Sequence, residues 1–170
     1  MDKLWAPWRM EFIRAPKEPG CFLCRIIREG SEKDDENLVV YRGAHGLLLM
    51  NRFPYTTGHL LAAPLRHEGA LTALSAEERQ EMLDLACLGQ RLLDTVAKPG
   101  GYNLGINQGV PAGAGLEDHL HLHVVPRWEG DSNFMPVTGR IRVMPQALWE
   151  MHRALRAELA RTEHHPRTPP

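Results

Sequence analysis

The stretch His119-Leu120-His121-Leu122-His123-Val124-Val125-Pro126 places three histidines at two-residue spacing among aliphatic and β-branched residues. Strict alternation is typical of a β-strand, so the three imidazoles are predicted to line one face of one strand. Histidine titrates near neutrality and serves as nucleophile, proton carrier or metal ligand. Burying three imidazoles without a task would desolvate several polar groups at once. The pattern therefore indicates either a metal site or a phosphoryl or nucleotidyl transfer site.

The composition limits the classes of partner. The chain has 170 residues, of which 43% are hydrophobic, as expected for one globular domain with a real core. Twenty lysines and arginines nearly balance 21 aspartates and glutamates, so no overall charge draws the chain to nucleic acid or an anionic membrane. Neither a long apolar stretch nor a signal-peptide pattern is present. We expect a cytoplasmic protein that acts on a small molecule.

Three regions are predicted along the chain. Residues 1–20, rich in Trp, Pro and Arg, form an irregular arm of the kind that wraps a partner subunit. Residues 21–161 form a single domain, and residues 162–170 form a disordered tail. His45, His152, His164 and His165 lack comparable neighbours and are predicted to be surface residues.

The hydrophobic pattern predicts an α+β fold with an antiparallel sheet of about five strands. Apolar runs bounded by Gly and Pro indicate strands at 38–41, 47–50, 59–63 and 102–107, besides the histidine strand. Ser75 and Glu78 form a capping box that begins a long helix over 75–97, with Met82 and Cys87 expected in the core. A short helix at 25–30 and a C-terminal helix at 145–161 complete the prediction.

A glycine-rich loop, Asn107-Gln108-Gly109-Val110-Pro111-Ala112-Gly113-Ala114-Gly115, leads into the histidine strand. Glycines let backbone N–H groups approach a ligand closely, which is the composition of a phosphate cradle. A phosphoryl group needs such donors and a nucleophile in line with its leaving group. Because a neutral imidazole can attack phosphorus and form a covalent phosphoramidate, the loop and the histidines together favour a phosphoryl or nucleotidyl transfer site.

A second motif, Cys21-Phe22-Leu23-Cys24, has the gap that lets two thiolates bind one tetrahedral zinc ion. Two further ligands must come from elsewhere in the chain. An odd total of three cysteines suits a reducing compartment better than a disulfide framework. The alternative is a pair of reduced thiols in the core.

These motifs resemble the histidine triad (HIT) superfamily of nucleotide hydrolases and transferases, whose signature is His-φ-His-φ-His-φ-φ. The stretch Met50-Asn51-Arg52-Phe53-Pro54-Tyr55-Thr56-Thr57-Gly58-His59-Leu60-Leu61 resembles the family's nucleoside-binding strand pair. Residues 112–119 and 126–134, with the arm, are similar to the microbial branch near fragile-histidine-triad proteins and diadenosine tetraphosphate phosphorylases. The resemblance, over residues 20–137, implies a HIT-like fold and a homodimer joined through the long helix and the sheet edge. The Trp-rich arm is expected to support larger assemblies.

The resemblance also implies roles for individual residues. His121 would be the nucleophile at the α-phosphorus, with its other ring nitrogen bonded to the His119 carbonyl. His123 and His59 would contact phosphate oxygens or the leaving group. Asn51 matches a ribose ligand, and Asn107 matches a phosphate ligand for which Gln108 is a close rival. The predicted substrate-binding set is Asn51, Asn107, Gln108, Gly113, Ala114, Gly115, His123 and Arg127. The predicted ligands of a structural zinc are Cys21, Cys24, His67 and His119.

The predicted function is cleavage of dinucleoside polyphosphates, of the diadenosine tri- or tetraphosphate type, through a nucleotidyl-His121 intermediate. Water as acceptor gives hydrolysis and phosphate gives phosphorolysis, with magnesium accompanying the substrate. The phosphoramidase branch carries Gly-Gln-Ser-Val before the triad, whereas Ala114-Gly115-Leu116 has no hydroxyl. The alternatives are a broader nucleotide-conjugate hydrolase (phosphoramidate or aminoacyl-nucleotide), a nucleotide-binding regulator, and a metalloenzyme with all three histidines on one catalytic ion.

Overall fold

Five antiparallel strands and three helices make up residues 20–131 and 147–164, the part of the chain that the computed structural model describes. Most of the predicted arm and the end of the predicted tail lie outside these residues. The helices are α1 (Phe22–Glu29), α2 (Ala76–Val96) and α3 (Leu148–His164). The strands are β1 (Val39–Arg42), β2 (Gly46–Met50), β3 (Leu60–Pro64), β4 (Gly101–Ile106) and β5 (Leu122–Arg127).

The strands form one sheet in the order β1-β2-β3-β5-β4, which confirms the predicted α+β class. The first three strands make a meander, and the chain then crosses one face as α2 before β4 and β5 return. β5 therefore lies between β3 and β4, where His123 is opposite Leu61 on one side and Gly105 on the other. This central position brings the histidines within reach of residues from four strands.

The two faces of the sheet have different partners. Leu48, Leu60 and Val124 pack on α2 and α3, for example on Leu92 and Leu155, in the larger core cluster. On the other face, Leu23 and Ile26 of α1 pack against Leu47, Leu49 and Leu61. Because His123 is opposite Leu61 and strand residues alternate, its side chain lies on the α1 face. The amino end of α1, which carries the two cysteines, shares that face with the histidines.

The predicted capping box begins α2. The Ser75 hydroxyl accepts the Glu78 N–H, and the Glu78 carboxylate accepts the Ser75 N–H at 2.7 Å. Arg66, just after β3, donates to both Glu78 oxygens at 2.9 and 2.8 Å. These bonds lower the pKa of Glu78 to about 2, with the Arg66 guanidinium as the main cause. The helix is therefore fastened to the end of a central strand.

Several expectations need correction. Met82 is buried as predicted, but Cys87 is exposed because it lies on the outer face of α2. His152, predicted on the surface, is 2% exposed and donates to the Val39 carbonyl at 2.9 Å, because α3 covers the outer edge of β1. α1 begins three residues before the predicted start, with Cys21 as its N-cap. α3 begins at Leu148 and continues to His164, beyond the predicted domain end.

No helix among the described residues is both long and apolar enough to cross a membrane.

Candidate active site and metal centre

The triad segment is strand only in its second half. Pairing in β5 begins at Leu122, so His123 lies in the ladder while His119 and His121 precede it. The prediction of one regular strand is therefore wrong for His119 and His121, and the His119 ring turns toward the cysteines. The reason is local: Leu120 donates its N–H to the Glu68 carbonyl at 2.7 Å, which carries the backbone away from a regular strand.

His121 has one ring nitrogen bonded and one available. Its Nδ1 lies 2.9 Å from the His119 carbonyl oxygen, which can only accept, so the proton resides on Nδ1. Nε2 consequently carries a lone pair. Burial lowers the pKa of His121, so the ring is neutral at pH 7. A buried neutral imidazole with a defined tautomer is what nucleophilic attack on phosphorus requires.

His59 and His123 form a second, directional pair. The Tyr55 N–H donates to His59 Nδ1 at 3.1 Å, so His59 carries its proton on Nε2. That N–H donates to His123 Nδ1 at 2.9 Å, so the proton that the His123 ring carries lies on Nε2. Burial is the main reason that the pKa of His59 lies well below its usual range, and the proximity of the titratable His123 and His121 lowers it further. The pair can therefore present an N–H donor from His123 beside the His121 ring, whose centroid is 4.9 Å away.

Tyr55 is a site residue that the sequence prediction missed. Besides its N–H bond, its ring lies 4.6 Å from the His59 ring and 5.8 Å from the His123 ring, between centroids. The ring thus covers part of the histidine pair. The available signal was its position, four residues before His59 in a tight loop between paired strands. The donated N–H belongs to the backbone, which every residue has, so the residue type did not reveal this bond.

Asn51 reaches the site from the end of β2, and Asn107 directly follows β4. Asn51 is opposite His59 at the end of β2, and its amide nitrogen is 3.4 Å from His59 Nδ1. Its Oδ1 accepts the Phe53 N–H, which orients the amide. Extending the β4–β5 register by one pair, from Ile106 opposite Leu122, places Asn107 opposite His121.

Gln108 has a different partner. Its Oε1 accepts the Leu71 N–H at 3.1 Å, so it links the pre-triad loop to the segment after β3.

The predicted phosphate cradle is only partly available. A 3₁₀ turn at Val110–Ala112 closes the loop, with Gly109 and Gly113 at φ of 81° and 86°. The Gly113 N–H donates to Val110 and the Ala114 N–H to Gly109, both within the turn. Two of the three predicted cradle donors, those of Gly113 and Ala114, are therefore occupied in this conformation, in contrast to the expectation. A left-handed glycine at each end lets the turn close on itself.

Arg127 does not lie with the histidines. Its guanidinium makes two bonds to Asp131, at 2.6 and 2.7 Å, and a third to Asn103 at 2.7 Å. At about 3.3 Å per strand residue, Arg127 is about 13 Å along β5 from His123. The expected polyphosphate contact is therefore not supported, and the contacts indicate a structural role where β4 and β5 meet.

The predicted metal ligands converge from three parts of the chain. Cys21 and Cys24 come from the start of α1, His67 follows β3 and His119 precedes β5. Cys21 Sγ is 3.2 Å from His119 Nδ1, and Cys24 Sγ is 3.2 Å from His67 Nδ1 and 3.5 Å from His119 Nδ1. All four donor atoms lie within 4.8 Å of one another. Tetrahedral zinc has ligand–ligand separations of about 3.3–3.8 Å, so these residues fit the ion.

The orientation of His119 also suits a metal ligand. Its Nε2–H donates to the Pro64 carbonyl at 2.8 Å, which leaves Nδ1 unprotonated toward the two sulfurs. A carbonyl that holds the second nitrogen is the usual support of a metal-binding histidine. Burial lowers the pKa of His119 and raises that of the Cys21 thiol. Because His119 faces the cysteines while His121 does not, the geometry argues against one catalytic ion held by all three triad histidines.

A cleft of about 520 Å³ lies between the segment after β3 and the pre-triad loop. Its walls include Glu68, Glu117 and Asp118, together with His67 and Gln108. Three carboxylates would repel a polyphosphate. The cleft therefore does not suit the phosphates of the predicted substrate.

Comparison with known proteins agrees with this arrangement. A family model described as the HIT domain matches residues 32–130. The "AP-4-A phosphorylase" of Mycobacterium tuberculosis is 36% identical over 167 residues, covering 95% of this chain and 86% of the relative. The "Bis(5'-nucleosyl)-tetraphosphatase [asymmetrical]" of Schizosaccharomyces pombe is 30% identical over 93 residues, covering 55% of this chain and 50% of the relative.

A solved structure described as a Zn-bound histidine triad family protein from Mycobacterium smegmatis superposes with a TM-score of 0.68 at 29% identity. The alignment covers 85% of this chain and 96% of that one. The matched family model, the long alignment and the bent histidine segment agree with one another: the chain belongs to the HIT family.

Proposed function

We propose that this HIT-family enzyme cleaves dinucleoside polyphosphates at the α-phosphorus through a nucleotide bound covalently to His121. The observation that carries the proposal is the bond from His121 Nδ1 to the His119 carbonyl, because it leaves the Nε2 lone pair for attack. The similarity to the M. tuberculosis AP-4-A phosphorylase supports the substrate class.

The first step forms a P–N bond and breaks a P–O bond. His121 Nε2 attacks the α-phosphorus, and the bond from that phosphorus to the bridging oxygen of the polyphosphate breaks. His123 Nε2–H, oriented by His59, is placed to donate to that departing oxygen or to a non-bridging oxygen. Asn51 would bind a ribose hydroxyl and Asn107 a phosphate oxygen. The leaving group is already a stable anion, so no serine hydroxyl is needed in Ala114-Gly115-Leu116.

The second step returns the free imidazole. An oxygen of water or of inorganic phosphate attacks the same phosphorus, and the P–N bond breaks with its electron pair returning to Nε2. For diadenosine tetraphosphate, ATP leaves in the first step, and the second yields AMP with water or ADP with phosphate. The name of the M. tuberculosis relative favours phosphate as the acceptor. Product analysis with and without phosphate separates the two acceptors.

The covalent step is tested with His121→Gln against a matched control, His45→Gln, at an exposed turn between β1 and β2. We expect His121→Gln to lower kcat by at least about 10⁴-fold, and His45→Gln to keep the wild-type rate. Acid-labile label from α-³²P substrate should appear on the wild type and not on His121→Gln. If turnover survives in His121→Gln, the covalent mechanism is wrong. If the wild type binds nucleotide without turnover, the alternative of a nucleotide-binding regulator replaces the proposed enzyme.

We further propose that Cys21, Cys24, His67 and His119 bind one structural zinc ion. Four protein ligands leave no open position, so the ion would stabilise the junction of α1, β3 and the triad segment. The donor set, its distances and the zinc-bound M. smegmatis relative support this assignment. Metal analysis should find one zinc per chain. Chelator should act slowly, through loss of stability, whereas magnesium that accompanies the substrate should be removed at once.

We also propose that the chain forms a homodimer through α2 and β4. Leu83 on α2 and Leu104 on β4 are 56% and 50% exposed, large fractions for leucines. Burying both against a second copy would remove apolar surface from water. Light scattering should show a dimer for the wild type, and a Leu83→Glu/Leu104→Glu double variant should be monomeric. A wild-type monomer at micromolar concentration would contradict this part.

A further inference from the structure

We propose that the metal centre positions the nucleophile: its ligands hold the His119 carbonyl that keeps a proton on Nδ1 of His121. The inference rests on the proposed function, in which His121 attacks phosphorus and the four-residue centre binds zinc. It extends that function because it assigns the centre an effect on reactivity in addition to its effect on folding.

The first step of the argument is that one residue serves both sites. The His119 ring presents Nδ1 to Cys21 Sγ at 3.2 Å and to Cys24 Sγ at 3.5 Å. The backbone carbonyl of the same residue accepts the His121 Nδ1–H at 2.9 Å. Only the Cα and Cβ atoms separate the ring from the carbonyl carbon. Fixing the fully buried ring therefore restricts where the carbonyl can point.

The second step is that the sheet does not hold this carbonyl. The last pairs of β5 join Leu122 to Ala62 and to Ile106, so His119 lies outside the ladder. Its anchors are the bond from its Nε2–H to the Pro64 carbonyl and the bond from the next residue's N–H to the Glu68 carbonyl.

Glu68 directly follows the ligand His67 in the chain. The backbone anchor beside the carbonyl is therefore attached to the same centre as the His119 ring. Loss of the metal would loosen the ring and this neighbouring segment together.

The third step is chemical. A neutral imidazole carries its proton on either nitrogen, and the bond made by one nitrogen decides which. With the His119 carbonyl displaced, a share of His121 rings would carry the proton on Nε2 and could not attack. Asn51, the predicted ribose ligand, directly follows β2 and pairs with His59 just before β3, so nucleoside binding would be little affected. The expected signature is a loss in kcat with little change in KM.

The test compares metal-depleted and metal-loaded protein at one fixed pH. His67→Ala removes the most exposed ligand from a loop, and His67→Cys replaces it with another zinc ligand. Leu155→Ala is the matched control, because it weakens the core between α3 and the opposite face of the sheet. Wild-type protein stripped with a chelator gives the same comparison without a substitution. Each sample is measured for zinc content, folded state, kcat and KM with diadenosine tetraphosphate.

The direct readout is the tautomer of His121. Long-range ¹H–¹⁵N spectra of the imidazoles distinguish Nδ1–H from Nε2–H, and His121→Gln identifies the signals. We expect one Nδ1–H tautomer in the wild type and averaged nitrogen signals in folded zinc-free protein. kcat should fall roughly 10- to 100-fold, the range typical for loss of an outer-shell partner. His67→Cys should restore zinc, tautomer and rate together, and Leu155→Ala should keep all three despite its lower Tm.

Each contrary outcome overturns a different statement. If folded, zinc-free protein keeps the Nδ1–H signature and its kcat, the positioning role is wrong although the zinc site stands. If the wild type binds no zinc when one equivalent is supplied, the proposed metal centre itself is wrong. If the tautomer changes with zinc but no nucleotide becomes attached to His121, the proposed function fails while the positional coupling is supported.

Discussion

The buried His59 predicts a specific dependence of stability on pH. Its side chain is fully buried, and the burial and the neighbouring histidines hold its pKa well below 6.5. The unfolded chain, with a pKa of about 6.5, takes up a proton at a higher pH than the folded chain does. Stability from this residue is therefore fully present above pH 6.5 and is lost as the pH falls below it.

The magnitude follows from the linkage between protonation and unfolding. A histidine that stays neutral in the folded state lowers the free energy of unfolding by up to about 1.4 kcal/mol for each pH unit below 6.5. Between pH 7.5 and 5.5 the loss from His59 alone is at most about 1.4 kcal/mol. His121 and His119, whose pKa values are also lowered by burial, add to the wild-type slope, so the contribution of one residue must be isolated by substitution.

Urea unfolding at the two pH values, with zinc in excess, provides the measurement. His59→Asn lacks the titrating group and should lose less stability between pH 7.5 and 5.5 than the wild type, by up to about 1.4 kcal/mol. Any constant destabilisation of the variant cancels in this difference. Leu155→Ala, which removes core contacts but no titratable group, should lose as much as the wild type. Equal losses in the wild type and His59→Asn would refute a neutral His59 in the folded state.

Three further predictions concern the surroundings of the site. Glu78→Gln should destabilise the chain by about 1–2 kcal/mol at pH 7 in urea unfolding, because it loses two charge-assisted bonds. Since the pKa of Glu78 is lowered to about 2, the difference in unfolding free energy between wild type and variant should shrink as the pH falls from 4.5. A Cβ at Gly69 would lie 2.6 Å from the Glu117 carbonyl oxygen, so Gly69→Ala should lower the Tm in thermal unfolding, whereas Gly101→Ala, with nothing within 4 Å, should not. Arg127→Ala should keep kcat/KM within about threefold in a steady-state assay, because its partners are structural; a larger loss would restore it as a substrate ligand.

The sequence pattern predicted most of the fold. Short apolar runs between glycines and prolines marked all five strands to within about a residue at most ends, and the Ser75–Glu78 pair marked the start of α2. These signals are local, since they depend on side-chain alternation and on backbone groups three residues apart. His152 and Cys87 were assigned to the wrong environment, because only the packing of α2 and α3 on the sheet decides which helix face is covered.

From spacing alone the candidate site could be predicted only as residue types, and its arrangement was predicted through the family resemblance. The spacing of His119, His121 and His123 and the Cys21–Cys24 gap indicated the chemistry. The hydrogen-bond directions, such as Tyr55 N–H to His59, depend on backbone atoms that every residue has, so no letter in the sequence reports them. The partner of Arg127 was hidden for a similar reason, because Asp131 pairs with it only once β5 has ended in a turn.

By itself, the sequence determined that imidazoles, thiols and a glycine-rich loop are present on an α+β fold, since residue type and periodicity are local properties. Only the tertiary structure decided the contacts by which the three histidines divide between two sites, a division that the family resemblance had implied. The ring of His119 faces the cysteines because the end of β3 and the start of α1 lie next to the triad segment. That contact is made between residues 98 positions apart in the chain, so it could arise only when the sheet was assembled.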